Sequence, residues 1–125
     1  MRVNIHASKV ELSPTIEEYV ERRLLFALGR FADVTRTVDV TLSDINGPKG
    51  GQDKLCRMRV KLNRQSKPVI ADVLHEDLRT SIDLTADRLG RSVGRAVDRQ
   101  SGLRIARRRT AAVSSRAGQL ATTFG

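Results

Sequence analysis

The stretch KLCRMRVKLN, residues 54–63, alternates without a break. Cys56, Met58, Val60 and Leu62 fall on one side, and Arg57, Arg59 and Lys61 on the other. A period of two is the strand period, so this segment presents one apolar face and one basic face. Such a strand needs a covering layer on one side only. RVNIHAS (Arg2–Ser8) repeats the pattern, with Val3, Ile5 and Ala7 together. TVDVTLS (Thr37–Ser43) does so with Val38, Val40 and Leu42. PVIADVLH (Pro68–His75) is less clean: Val69, Ala71 and Val73 form the inner set, and Ile70 and Leu74 are left outside.

Two segments carry the helical period instead. SPTIEEYVERRLLFALGRF begins with Ser13, a good N-cap, and Pro14, which suits the first helical position. Glu17 and Glu18 complement the positive end of the helix dipole, and Arg30 the negative end. Ile16, Val20, Leu24, Ala27, Leu28 and Phe31 make one apolar stripe. Leu78, Ile82, Thr85, Leu89, Val93 and Ala96 make a second, with Asp77 as its N-cap. The order is strand, helix, three strands, helix. It predicts a two-layer α+β fold, β-α-β-β-β-α, with a four-stranded sheet and both helices on its apolar face. The domain is expected over residues 1–101, followed by a basic, disordered tail over 102–125. Within it, LRIARRRT either extends the helix or frays.

Charge is unevenly placed. Residues 1–78 hold 13 Lys/Arg against 11 Asp/Glu, a net of +2. Residues 79–125 hold 10 Arg, no Lys and 3 Asp, a net of +7. Arginine without lysine suits bidentate phosphate contacts, so a polyanion is the expected partner, nucleic acid before an acidic membrane surface. Arg88, Arg91, Arg95 and Arg99 are three, four and four residues apart. At about 100° per residue they fall within roughly 80° of one another on the second helix. Like charges in such a row repel, which makes sense where a phosphate backbone lies along them. Asp87 and Asp98 are expected to point to an adjacent face. The outer sheet face adds Arg2, Arg57, Arg59 and Lys61.

Between the second and third strands lies INGPKGGQDK, residues 45–54. A Walker loop would need Ser or Thr after its Gly-Lys and a helix to follow, and neither is present. Gly47-Pro48-Lys49-Gly50 has the spacing of a KH-domain clamp, but that clamp joins two helices. The loop is a hairpin connection, either a plain turn or a basic tip that brings Lys49 and Lys54 to a polyanion. Aromatic residues are few: one Tyr, three Phe and no Trp. Tyr19, Phe26 and Phe31 are expected on or near the buried helix face, which argues for recognition of shape and phosphate rather than base stacking.

Catalysis and metal binding find little support. His6 is expected outward and Cys56 inward, on opposite sheet faces, and no His/Cys pair has zinc spacing. Cys56 reads as a small buried hydrophobe. No cofactor, metal or small-molecule substrate is expected, and the chain is not expected to be an enzyme. No run of about 18 apolar residues suggests a membrane span. The start lacks an apolar signal region and there is one cysteine, so a reducing cytoplasm is the expected location.

Two segments carry a resemblance. ELSPTIEEYVERRL, opening the first helix, resembles the pattern ELTPALREYVEEKL of the ribosome hibernation-promoting factor family, also called ribosome-associated inhibitor or sigma-54 modulation proteins. HEDLRTSIDLTADRLGRSV, opening the second, resembles that family's EDEDMYAAIDLLVDKLERQL. The resemblance covers residues 1 to about 100 and implies the same β-α-β-β-β-α fold. It further implies binding to the small (30S) ribosomal subunit between head and body, over the decoding region, where messenger and transfer RNA are excluded. Family basic positions fall on Arg88, Arg91, Arg95 and Arg99, and in the first helix on Arg23 and Arg30. The partner expected is therefore the 30S subunit and its 16S rRNA, gripped at phosphates, with Arg57, Arg59, Lys61 and Lys49 as further contacts.

The sequence also departs from the family. The glycine loop is longer, and Gly90 and Gly94 stand where longer residues are usual, each expected to weaken the helix by about 1 kcal/mol relative to Ala. The dimerising C-terminal domain of long members is not among these residues, so pairing of whole ribosomes is not implied. Two other readings stay open: a general structured-RNA or nucleic-acid binder, and a protein-interaction module docking through Ile70 and Leu74.

Overall fold

The computed structural model describes residues 1–45 and 53–111, with side chains described through residue 100. The chain divides into two compact units, Met1–Gly94 and Arg95–Gly125. The elements are β1 (Arg2–Ser8), α1 (Pro14–Leu28), a 3-10 segment (Gly29–Val34), β2 (Thr35–Asp44), β3 (Lys54–Leu62), β4 (Val69–His75) and α2 (Leu78–Ala111). The expected α+β order is the observed one. LRIARRRT, where the sequence allowed extension or fraying, lies within the helix; residues 112–125 lie outside the described residues.

The four strands stand in the order β1-β2-β3-β4. β1 runs parallel to β2, with Arg2 opposite Thr37 and Ser8 opposite Ser43. A parallel neighbour cannot be reached by a tight turn, and α1 is the crossover that joins the two. β2–β3 and β3–β4 are antiparallel. Their register stacks the inner residues in rows: Val38, Val60 and Val69; Val40, Met58 and Ala71; Leu42, Cys56 and Val73. One side of these strands is buried, and both helices turn their stripes inward. Val20, Leu24 and Leu28 of α1 and Ile82, Ala86, Leu89 and Val93 of α2 are fully buried with the inner rows of β2 and β3. Thr85 is buried with them. Its hydroxyl donates to Ser81 O at 2.6 Å and lies 3.3 Å from Cys56 O, a polar link from α2 to β3.

The helix starts are as the sequence reads. Ile16 N donates to Ser13 Oγ at 3.2 Å, with Pro14 following the cap. Thr80 N donates to Asp77 Oδ2 at 3.0 Å, and the Thr80 hydroxyl adds a bond of 2.7 Å to the same oxygen. The end of α1 differs. The α-helix stops at Leu28 and tightens into the 3-10 segment, so Arg30 and Phe31 lie beyond it. The buried Thr35 hydroxyl donates to Phe31 O at 2.8 Å, which closes the last turn as the chain enters β2. Asn63 ties the same corner to β3, its N–H donating to Val34 O at 2.8 Å.

The hairpin between β2 and β3 continues past the strands through Ile45 N, which donates to Asp53 O at 2.9 Å. Lys54, considered above as a polyanion contact, is engaged inside this hairpin: its Nζ lies 2.9 Å from Asp44 Oδ2 and 3.2 Å from Asp53 Oδ1. The bond to Asp44 leads in raising its pKa. Residues 46–52, including Lys49, lie outside the described residues.

Candidate nucleic-acid interface

α1 and α2 approach closely at Gly90. A β-carbon at that position would stand 3.0 Å from the Ala27 carbonyl oxygen. The crossing opens into a surface groove of about 580 Å³ lined by Arg23, Leu25, Phe26, Ala27, Gly29, Arg30, Asp87, Gly90 and Arg91. Three guanidiniums and one carboxylate thus share the lining with Leu25, Phe26 and the small residues Ala27, Gly29 and Gly90. Arg23 Nε lies 3.1 Å from Asp83 Oδ1, and Tyr19 donates its hydroxyl to the same oxygen. That hydrogen bond, helped by burial, raises the Tyr19 pKa, so the phenol stays a donor to Asp83.

The expected arginines divide into groups. Arg23, Arg30 and Arg91 share the groove. Arg88 is exposed on the same helix as Arg91, its Nη1 3.4 Å from Asp72 O of β4. Arg95 and Arg99 are exposed and belong to the second unit, Arg95–Gly125. Asp87, expected on an adjacent face, reaches Arg91 at 3.8 Å, since residues four apart on a helix are neighbours. Both side chains are largely solvated, so this pair is weak and leaves Arg91 available.

Arg57, Arg59 and Lys61 are exposed on the opposite side of the sheet, because they alternate with the buried Cys56, Met58 and Val60. They do not join the groove. Arg57 pairs with its cross-strand neighbour Asp72 at 3.3 Å. Arg59 and Lys61 line a smaller recess of about 260 Å³ with Arg36, Thr37 and Asp39. Ile70 and Leu74 remain 53% and 38% exposed, as the outer phase of β4 required.

One residue corrects the reading of the aromatics. Phe26, expected on or near the buried helix face, is 83% exposed, and its neighbour Leu25 is 64% exposed. Phe26 follows Leu24 by two residues, about 200° around the helix, which sets it opposite the buried stripe. The Arg23 guanidinium lies 5.5 Å from its ring centroid. Phe31 is half-buried, with the Arg30 guanidinium at 4.6 Å, and the Arg79 guanidinium lies 4.9 Å from the half-buried Tyr19 ring.

Among the described residues no three His, Cys, Asp or Glu gather as a metal site, and no helix is long and apolar enough to cross a membrane. Cys56 is buried, and burial pushes its thiol up to about 11. His75 Nδ1 accepts from Asp77 N at 3.0 Å, and His6 is exposed on β1.

A four-stranded sheet with a parallel edge pair, two helices on one face and arginines at their crossing makes this a two-layer α+β domain with a basic helix-side groove. The family model described as sigma 54 modulation protein / S30EA ribosomal protein matches residues 3–101, and the chain belongs to that family. It is 29% identical over 111 residues to a ribosome hibernation promoting factor of Azotobacter vinelandii, covering 85% of this chain and 95% of that protein. The N-terminal domain of Thermus thermophilus Protein Y superposes with a TM-score of 0.62 at 26% identity, over 76% of this chain and 98% of that one. A ribosomal subunit interface protein of Coxiella burnetii shares the fold, with a TM-score of 0.63 at 18% identity, over 78% of this chain and 99% of that one.

Proposed function

We propose that this protein is a ribosome hibernation factor that binds the small subunit at the decoding channel and keeps messenger and transfer RNA out. The groove at the α1–α2 crossing carries the proposal. Arg23, Arg30 and Arg91 line it together with Ala27, Gly29 and Gly90, whose small size leaves room for a phosphate backbone. Arg88 adds to this grip within the first unit, and Arg95 and Arg99 of the second unit are further proposed phosphate contacts. Arg57, Arg59 and Lys61 serve the other side of the sheet, which suits a domain lodged in a channel with RNA on both walls. Lys49, in the glycine-rich sequence between β2 and β3, is a further proposed contact. The family and the hibernation-factor relative support the ribosome as partner.

The mechanism is occupancy rather than catalysis. Guanidiniums exchange their solvent counterions for 16S rRNA phosphates, and the body of the domain blocks the path of the displaced ligands. The protein therefore works in the cytoplasm, on ribosomes that are not translating.

The test is sedimentation of the purified protein with separate 30S and 50S subunits across a salt series, with and without initiator tRNA and messenger. Binding to 30S alone, lost when tRNA and messenger are present, is the expected result. With about six phosphate contacts, affinity should fall on the order of a thousandfold between 50 and 200 mM salt. Equal pelleting with both subunits, indifferent to tRNA, would leave a nonspecific polyanion binder. Binding that ignores salt would point to apolar docking on another protein.

A further inference from the structure

The groove holds an element that phosphate binding does not need. Phe26 is the most exposed of the large apolar side chains described, at 83%, and Leu25 beside it is 64% exposed. A helix that only had to cover the sheet would carry polar residues at both positions. The surroundings indicate what covers them. Phe26 shares the groove with Arg23, Arg30 and Arg91 against the single carboxylate of Asp87. The Arg23 guanidinium, its Nε 3.1 Å from Asp83 Oδ1, stands 5.5 Å from the Phe26 ring centroid. With the ring so exposed, most of its surface stays open to a second planar group.

A flat apolar surface ringed by cations is complementary to a nucleotide. The base offers a π-face to the ring and the phosphate offers charge to the guanidiniums. A duplex keeps its base faces stacked inside, so only an unpaired base can use such a platform. The groove volume, about 580 Å³, is within the range of small-molecule sites. Gly29 and Gly90 in its lining carry no side chain to fill it.

We infer that Phe26 is a stacking platform for an unpaired RNA base whose flanking phosphates are held by Arg23, Arg30 and Arg91. The inference rests on the ribosome reading for the identity of the RNA, but not for its chemistry. It adds readout of single-stranded structure to a surface otherwise suited to any phosphate backbone.

The chain has no tryptophan, so Phe26→Trp places one reporter in the groove of the full-length protein. Its emission should be quenched by a single-stranded RNA decamer at low salt and left unchanged by a blunt duplex of the same composition. In 30S sedimentation, Phe26→Leu should lose about tenfold in affinity and Phe26→Tyr should stay near wild type. Circular dichroism of each variant should match wild type, because the side chain lies in solvent. Emission indifferent to the decamer, or Phe26→Leu binding 30S as tightly as wild type, would overturn the inference; the second result would assign the patch to plain apolar contact with a protein. Quenching by the decamer without 30S binding would sink the ribosome reading and leave the stacking platform standing. Tight 30S binding without quenching would do the reverse.

Discussion

Gly90 stands against the Ala27 carbonyl: a β-carbon there would lie 3.0 Å from that oxygen and 3.4 Å from the Ala27 β-carbon. The nearest atom is a backbone oxygen in the last turn of α1, not the end of a side chain that could swing aside. Gly94, one turn later, has only the Phe31 ring edge at 3.5 Å and an Arg30 nitrogen at 3.6 Å before it, which is ordinary contact.

The two glycines should therefore respond oppositely to alanine. Each substitution gains about 1 kcal/mol of helix propensity. At Gly90 that gain is outweighed by overpacking against a backbone oxygen, about 1–3 kcal/mol, so Gly90→Ala should be net destabilising. Gly94→Ala should stabilise by about 0.5–1 kcal/mol. Urea unfolding with an unchanged m-value distinguishes the two. Equal stabilisation by both would mean that the helices part at little cost.

The two basic faces should contribute independently to ribosome binding. Arg91 lies in the helix-side groove and Arg59 on the far side of the sheet. Arg91→Ala and Arg59→Ala should each lower the slope of log affinity against log salt by about one, and the double variant by about two. Sedimentation with 30S subunits at four salt concentrations measures this. An Arg59→Ala variant with the wild-type slope would turn the sheet face away from RNA.

The cap on α2 gives a pH dependence with a definite sign. Hydrogen bonds from the Thr80 hydroxyl and amide hold the Asp77 pKa below its ordinary value. A depressed carboxylate contributes stability above its unfolded pKa, about 3.9, and loses it as pH falls through the lower folded value. Asp77→Ala should melt below wild type at pH 7, and the gap should narrow under acid, below about pH 4. A gap constant down to pH 2 would assign the effect to something other than the carboxylate.

Cys56 should behave as core. With its pKa pushed up to about 11 by burial, the thiolate fraction at pH 8 is on the order of one in a thousand, before access is considered. Labelling with a thiol reagent should be negligible in native buffer and rise with denaturant along the global unfolding curve. Fast labelling at neutral pH without denaturant would show that the inner face of β3 opens locally.

How far the sequence was legible follows from which signals are local. Period two placed Cys56, Met58, Val60 and Leu62 inward, and they are inward. Ser13 and Asp77 announced the helix starts because a cap uses only neighbours. Phe26 lies about 200° from Leu24, so its exposure follows from helix angle rather than from its hydrophobicity. The stop at Leu28 depends on the Thr35 hydroxyl reaching Phe31 O, a contact made only once β2 is in place. Arg57–Asp72 depends on strand register, and the fit of Gly90 on where two helices cross. Neither is written in either segment alone. The basic sheet face of Arg57, Arg59 and Lys61 was visible in the alternation, but the grouping of Arg23, Arg30 and Arg91 was not, because it depends on where the two helices cross.

The parallel pairing of β1 with β2 bears on how the chain is made. Asn4 finds its partner Asp39 at a separation of 35 residues, while β2 and β3 need only turn back on themselves. Of the four strands, β1 leaves the synthesising ribosome first, yet it can pair only after α1 and β2 have followed it out. Until then its Val3 and Ile5 have no sheet to join, and closing so long a loop is slow beside hairpin formation. The strand born earliest is the one that must wait.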